Sequence, residues 1–228
     1  MPKNNLLDVD IREGERAVII GATGSGKTVM ARALLRDVPR LVVLDPKGTL
    51  GKWGLEEWNE DTQQRLYDRE PVRVRVVLEG GRDSEKFWES VLQEVYEATD
   101  LVAYIDEAYG INDSTKPGPW LNAVWTRGRE FRETGIAATQ RPRNIPRVFL
   151  TEAEHYFIFT LRHPEDRKYV AGFIAPELEE KVPDKHGFWY FNVNQDKPIY
   201  VPSLPKDLQR FSIDTPDLLM EESDHASA

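Results

Sequence analysis

Short apolar runs along the chain alternate with segments in which apolar residues recur every three or four positions. Such runs are typical of buried β-strands, and the recurring pattern is typical of amphipathic helices. The predicted strands are Arg16–Ile20, Leu41–Asp45, Val72–Leu78, Leu101–Ile105, Gly135–Thr139 and His155–Leu161. The predicted helices run from Lys27 to about Arg36, irregularly from Leu55 to Tyr67, and over Ser84–Ala98, Trp120–Glu133 and Pro164–Phe173.

Strands that alternate with helices predict an α/β fold with a mostly parallel central sheet, right-handed crossovers and flanking helices. The strict alternation at the start of Val72–Leu78 predicts an edge strand with its arginines outward. Gly187–Phe191 and Pro198–Val201 predict a C-terminal β-hairpin. In such sheets ligands bind at the carboxyl ends of the strands, so the residues that follow each strand are the candidates for function.

The length of 228 residues suits one domain, predicted over residues 1–211, followed by an acidic tail over 212–228 that we expect to be disordered. The chain has no cysteine, and no apolar run approaches the roughly 18–20 residues that a membrane span needs. A cytoplasmic protein with no membrane span is therefore expected. The tail is compatible with docking on a partner protein, and equally with a solubilising end.

The net charge is −9, but the window from Thr126 to Leu150 holds six arginines against two glutamates. A basic patch on an acidic body is compatible with a channel that guides DNA. A solvated helix face and loop explain the same charges equally well.

A phosphate-binding loop follows the first predicted strand, because the sequence there matches G-x-x-x-x-G-K-[ST]. Its glycines let backbone N–H groups point at phosphate oxygens, and the next helix directs its positive N-terminus to the same anion. Lys27 is expected to reach the β- and γ-phosphates of ATP, and the Thr28 hydroxyl to bind Mg²⁺. The predicted ATP-binding residues are Gly21, Ala22, Thr23, Gly24, Ser25, Gly26, Lys27 and Thr28.

Two acids, Asp106 and Glu107, end the apolar run Leu101–Ile105. Asp106 is expected to hold Mg²⁺ through its water shell, and Glu107 to polarise the attacking water. The pair favours an enzyme that hydrolyses ATP over a small-molecule kinase. Asp45 also ends a strand, and the sequence leaves open whether it supports the site or caps the turn before Pro46.

Gln140 ends the next strand, within Ala-Thr-Gln-Arg-Pro, where its amide is placed to contact the γ-phosphate or the attacking water. Arg129 lies eleven residues upstream. Its guanidinium would stabilise charge on a phosphoryl group during transfer.

Together the segments GATGSGKT, LDPKG, YIDEA, the Gly-Arg pair and ATQRP resemble the FtsK/HerA superfamily of DNA-pumping ATPases, from about Arg16 to Pro142. The resemblance implies a RecA-like P-loop NTPase that works as a ring, of five or six subunits, around double-stranded DNA. It also implies that Arg129 reaches into the ATP site of the neighbouring subunit, with Arg127 as the second candidate.

The size of the chain is similar to that of the small viral and phage packaging ATPases, so a genome-packaging motor is the first hypothesis. The partner that the acidic tail would dock on is then expected to be a portal, capsid or nuclease protein. A HerA-like ATPase that works with a nuclease and an ATP-dependent assembly switch without DNA are the alternatives. Phosphate-contacting cations are expected on loops that follow strands, although each is also explained as a solvated surface charge. The candidates are Lys47, Lys52, Lys116, Arg141, Arg143 and Arg147.

Overall fold

Nine strands form the central sheet of the computed structural model, which describes residues 8–78, 84–112, 115–203 and 211–214. They are β2 (Arg16–Ile20), β3 (Arg40–Leu44), β4 (Glu56–Glu57), β5 (Val72–Val76), β6 (Val102–Ile105), β7 (Thr134–Thr139), β8 (His155–Phe159), β9 (Phe188–Asn192) and β10 (Ile199–Val201). Two further strands, β1 (Val9–Ile11) and β11 (Phe211–Ile213), pair with each other in parallel.

The order of the central sheet is β10-β9-β8-β2-β7-β6-β3-β5-β4. Every neighbouring pair from β8 to β4 is parallel, and only the pairs made by β9 are antiparallel. The predicted α/β fold, with a mostly parallel sheet, flanking helices and a C-terminal hairpin, is confirmed. Because β2 lies between β7 and β8, the loop after β2 has a strand end on each side of it.

The helices lie over the two faces of this sheet. They are α1 (Lys27–Leu34), α2 (Glu60–Tyr67), α3 (Ser84–Ala98), α4 (Pro119–Arg127), α5 (Val148–Thr151), α6 (Pro164–Ala171) and α7 (Glu177–Glu180). Val18 and Ile20 of β2 belong to the core cluster that includes residues of α3 and α4, whereas Ala17 and Ile19 belong to the cluster with α1, β1 and β11. Successive strand residues point to opposite faces, so a continuous apolar run such as β2 is buried on both.

The sheet edge differs from the prediction. Val72–Val76 is not the edge strand, because Glu56–Glu57 pairs outside it. The alternation in β5 has another cause: Arg73 donates to the carbonyl oxygens of Arg36 and Val38, and Arg75 lies 3.6 Å from Asp45. These arginines satisfy polar groups at loop and strand ends, so their polarity does not require an exposed edge.

Two predicted helices are shorter than expected. The segment from Leu55 forms strand β4 first, and α2 begins only after Asn59, whose side chain and Thr62 form a capping box. The helix predicted over Trp120–Glu133 ends at Arg127 and continues as a 3₁₀ turn over Gly128–Phe131.

The folded domain extends beyond its predicted end at residue 211, because β11 reaches Ile213 and pairs with β1. Phe211 and Ile213 are buried against the face that α1 covers. Apart from Ser212, Ile213 and Asp214, the predicted acidic tail lies outside the described residues.

Arg16 and Glu133 are both buried near the C-terminal end of α4. Arg16 donates to the carbonyl oxygens of Val124 and Trp125 at 2.7 and 3.1 Å, and so holds the end of α4. Glu133 is fully buried, and neither carboxylate oxygen has a hydrogen-bond partner. Burial raises the pKa of Glu133 to about 8, against the opposing effect of Arg16.

Glu133→Gln should therefore make stability less dependent on pH. The pKa of Glu133 in the folded protein is raised above the unfolded value of 4.5. The stability that protonated Glu133 contributes is therefore fully present below pH 4.5 and is lost as the pH rises towards 8. The unfolding free energy of the wild type should fall relative to the variant by at most ~1.4 kcal/mol per pH unit over this interval. Urea unfolding at pH 5 and pH 8 measures the difference; parallel pH profiles would contradict a buried neutral acid.

Candidate nucleotide site

The loop between β2 and α1 turns sharply at glycines. Gly26 has φ 118°, a left-handed conformation that favours glycine, and it precedes α1 without a side-chain cap. A Cβ atom on Gly21 would lie 2.5 Å from the Cβ of Phe159 on β8, so the loop approaches that strand too closely for any side chain. The first turn of α1 contains no acidic residue, and its free N–H groups are open to an anion.

Lys27 is folded back onto this loop. Its ammonium donates to the carbonyl oxygens of Gly21 at 2.8 Å and Ala22 at 3.4 Å, and lies 3.9 Å from Oε1 of Glu107. Burial lowers the pKa of Lys27, and the nearby Glu107 and Asp106 partly oppose that shift. A buried ammonium that is held by carbonyl oxygens beside two carboxylates is well placed to bind phosphate oxygens instead.

The two acids predicted after β6 face the loop. The Tyr104 hydroxyl donates to Oδ1 of Asp106 at 2.8 Å, which fixes the direction of that carboxylate. Burial raises the pKa of Asp106, and the negative charges of Glu107 and Asp45 raise it further, against the hydrogen bond from Tyr104. A bound cation would therefore stabilise the ionised form of Asp106 more than it would stabilise that of an exposed carboxylate.

Glu107 is held in a strained backbone conformation, with φ 59° in the left-handed region. Its Oε2 accepts the backbone N–H of Gln140 at 3.2 Å, and its Oε1 lies 3.5 Å from the ammonium of Lys47. Only 7% of the residue is exposed. Glu107 thus meets the ends of three strands, β6, β7 and β3.

Gln140 connects the phosphate loop to the acids. Its Oε1 accepts the Thr23 hydroxyl at 2.6 Å, and its Nε2 donates to the hydroxyl of Tyr109 at 3.2 Å. Beside it lies a cavity of about 300 Å³ on the carboxyl edge of the sheet. The cavity is lined by Ala22, Thr23, Gln140, Arg141, Leu161, Arg162, His163 and Asp166.

Two of the predicted catalytic candidates lie elsewhere. Arg127 ends α4, and Arg129 lies in the 3₁₀ turn before β7, whereas Gln140 follows β7. The six residues of that strand separate the two ends by about 20 Å. The Arg129 side chain is 70% exposed and lies 3.5 Å from Oε1 of Glu154. Neither arginine belongs to the site of its own chain.

The cations proposed for DNA fall into three groups on the carboxyl edge. The first group packs against Tyr109, where Lys47 and Arg141 lie 5.3 and 5.1 Å from the ring centre. Lys52, Lys116 and Arg143 are exposed on the loops. Arg147 stacks over Phe173, 5.1 Å from its ring centre, at the start of α5.

Asp45 caps the turn after β3, which settles the question left by the sequence. Its carboxylate accepts the N–H groups of Thr49 at 3.1 Å and Leu50 at 2.8 Å, and it is fully buried. Its contribution to the site is indirect, through the turn that carries Lys47 and through its negative charge near Asp106.

Comparison with known proteins agrees with this geometry. Over 170 residues the chain is 28% identical to DNA packaging ATPase P9 of Enterobacteria phage PRD1, covering 73% of each protein. The genome packaging NTPase B204 from Sulfolobus turreted icosahedral virus 2, in complex with ATP-gammaS, matches with a TM-score of 0.70 and 18% identity, over 84% of this chain and 98% of that one. B204 from Sulfolobus Turreted Icosahedral Virus matches with a TM-score of 0.66 and 21% identity, over 85% and 99%.

This chain has the fold of a P-loop NTPase. The resemblance to small viral packaging ATPases, which the size of the chain indicates, is confirmed. No protein-family model matches the chain. Across the described ranges, no helix is both long enough and apolar enough to cross a bilayer.

The residues present fit a magnesium-bound triphosphate. The uncapped start of α1 and the buried ammonium of Lys27 suit phosphate oxygens. Ser25 Oγ is buried without a partner inside the loop. The exposed Thr28 hydroxyl and the buried Asp106 carboxylate are oxygen ligands, which Mg²⁺ prefers.

Sequence reasoning missed Tyr109 and placed Lys47 with the DNA-contacting residues. Both belong to the cluster around Glu107 and Gln140. The tyrosine follows the acidic pair by two positions, but nothing in its spacing signals a contact with a glutamine thirty-one residues away.

Proposed function

We propose that this P-loop NTPase hydrolyses ATP to drive double-stranded DNA as a viral genome-packaging motor, and that it works as a ring. The proposal rests on one observation. The phosphate loop, the acidic pair and Gln140 meet at the carboxyl ends of the strands, whereas Arg129 is exposed at their amino ends. We infer that Arg129 of a second copy of the chain completes this site. The phage and archaeal virus relatives named above support genome packaging as the purpose.

In the proposed site, Lys27 leaves the carbonyl oxygens of Gly21 and Ala22 and binds the β- and γ-phosphate oxygens of ATP. The N–H groups of the loop and of the first turn of α1 surround the same phosphates. Thr28 and Asp106 would hold Mg²⁺, which neutralises negative charge on the phosphates when bound.

Glu107 is placed to orient the attacking water and to accept its proton. The water oxygen bonds to the γ-phosphorus as the bond to the β–γ bridging oxygen breaks, and ADP leaves with that oxygen. Gln140 contacts both the loop, through Thr23, and the carboxylate of Glu107, through its backbone N–H. It is therefore the residue proposed to report whether the γ-phosphate is present.

Arg129 is proposed to act in the site of the neighbouring subunit, with Arg127 as the second candidate. A guanidinium inserted from outside would stabilise charge on the transferring phosphoryl group and would make hydrolysis depend on subunit contact. A ring of five or six subunits places one such arginine at every interface.

DNA is proposed to contact the exposed cations on the carboxyl edge, which are Lys52, Lys116, Arg141 and Arg143. These side chains would bind backbone phosphates rather than base edges, so binding should tolerate any sequence and weaken with salt.

The ATPase rate, measured with and without duplex DNA across protein concentration, tests the proposal. We expect the rate per subunit to rise with protein concentration, because each site needs a neighbour, and to rise further with DNA of unrelated sequences. A rate that depends on concentration but never on DNA would favour the ATP-dependent assembly switch. A rate independent of both would contradict the ring.

A further inference from the structure

Lys47 sits on a turn that is fixed on both sides. The carboxylate of Asp45 accepts two backbone N–H groups of the turn, and Gly48 donates to the Asp45 carbonyl at 3.1 Å. Pro46 packs so closely against Gly110 that a Cβ there would lie 2.9 Å from its ring. The lysine is therefore presented by a rigid element, unlike a residue on a loose surface loop.

The ammonium of Lys47 points to the catalytic carboxylate. It lies 3.5 Å from Oε1 of Glu107, closer than the 3.9 Å that separates Lys27 from the same oxygen. Burial lowers the pKa of Lys47, but the hydrogen bonds and the negative charges of Tyr109 and Glu107 together outweigh burial and raise that pKa above its usual value. Lys47 is therefore positively charged at neutral pH, and this charge interacts with Glu107 and Tyr109.

Tyr109 extends the cluster to the glutamine. Its hydroxyl accepts Nε2 of Gln140 at 3.2 Å, and its ring faces Lys47 at 5.3 Å. The side chains of Glu107, Lys47, Tyr109 and Gln140 therefore form one connected chain from the carboxylate to the amide.

We propose that Lys47 is a positioning residue for ATP hydrolysis, which holds the Glu107 carboxylate and, through Tyr109, the Gln140 amide in their working arrangement. The inference rests on the proposed function and replaces the DNA-contacting role predicted for Lys47. When Lys27 turns to the phosphates, Lys47 remains as the cation that orients Glu107. Its removal should slow the chemical step and leave nucleotide binding unchanged.

Lys47→Met keeps the length of the side chain and removes its charge. We expect kcat without DNA to fall by about tenfold or more while KM for ATP stays within about twofold, since the lost contact acts only on the chemical step. Lys47→Arg should recover kcat to within about threefold of the wild type because the charge is kept. Lys197→Met is the matched control. Lys197 is exposed and lies in the β9–β10 turn, on the edge of the sheet opposite the nucleotide site.

Tyr109→Phe tests the same chain without touching a charge. It removes the hydroxyl and keeps the ring, so kcat should fall by about three- to tenfold, and the double variant with Lys47→Met should lose less than the product of the two losses. Should Lys47→Met fail to fold, Tyr109→Phe still decides: kcat equal to the wild type in that variant overturns the proposal.

Measurements with duplex DNA distinguish the proposed positioning role of Lys47 from the predicted DNA-contacting role. If Lys47→Met keeps the basal kcat and loses only DNA affinity, the lysine is a DNA contact and the inference is overturned alone. If the wild type shows no ATPase activity at any protein concentration, the proposed function fails and this inference fails with it.

Discussion

Arg129→Ala should lower ATP turnover by roughly 10³–10⁵-fold and leave ATP affinity unchanged. The guanidinium is 70% exposed and about 20 Å from its own site, so its loss cannot disturb nucleotide binding in the same chain. Among the residues that the structure describes, the ion pair that it breaks is the exposed contact with Glu154 at 3.5 Å. Such exposed pairs contribute little to stability, and the variant should fold normally.

A mixing experiment shows whether the arginine acts between subunits. Lys27→Ala removes ATP turnover but keeps Arg129, whereas Arg129→Ala keeps the phosphate site. Neither variant should turn over ATP alone, and an equimolar mixture should recover activity where an intact site meets an intact arginine. Arg127→Ala is the matched control, with a nearly normal rate expected. Normal hydrolysis by purified Arg129→Ala would contradict the assignment, and loss only in Arg127→Ala would transfer the role.

Glu107→Gln should lower turnover by roughly 10²–10⁴-fold while ATP remains bound. Glutamine has the same size and keeps an oxygen for the backbone N–H of Gln140, now 3.2 Å from Oε2. It cannot take a proton from water, and it removes the negative charge that faces Lys27 and Lys47. The protein should therefore accumulate with ATP instead of ADP.

Single-turnover chemistry with labelled ATP, followed by analysis of the retained nucleotide, measures this directly. Glu60→Gln, at the exposed start of α2, is the control for the same change of charge and should retain only ADP. Loss of ATP binding by Glu107→Gln would mean that the carboxylate supports the loop rather than the reaction.

The sequence by itself determined the features that depend on neighbours in the chain. The phosphate loop is one continuous segment, so its glycines, its lysine and the helix after it are visible without any tertiary contact. The buried strands β2, β3, β6, β7 and β8 were predictable for the same reason, because a strand covered on both faces is a local apolar run. The edge strand β4 and the separate pair β1 and β11 were not: β4 has only two exposed glutamates, and β1 and β11 are three residues each.

Tertiary structure decided which strand ends meet. Gln140 and Glu107 were each predicted at the end of a strand, but only the order β2-β7-β6-β3 brings their backbone and side chain together and adds Lys47 from the turn after β3. The same order sends Arg129 to the far edge, because it precedes the strand that Gln140 follows. A pattern along the chain records which residues are buried, whereas the pairing of distant strands depends on contacts that no local pattern contains.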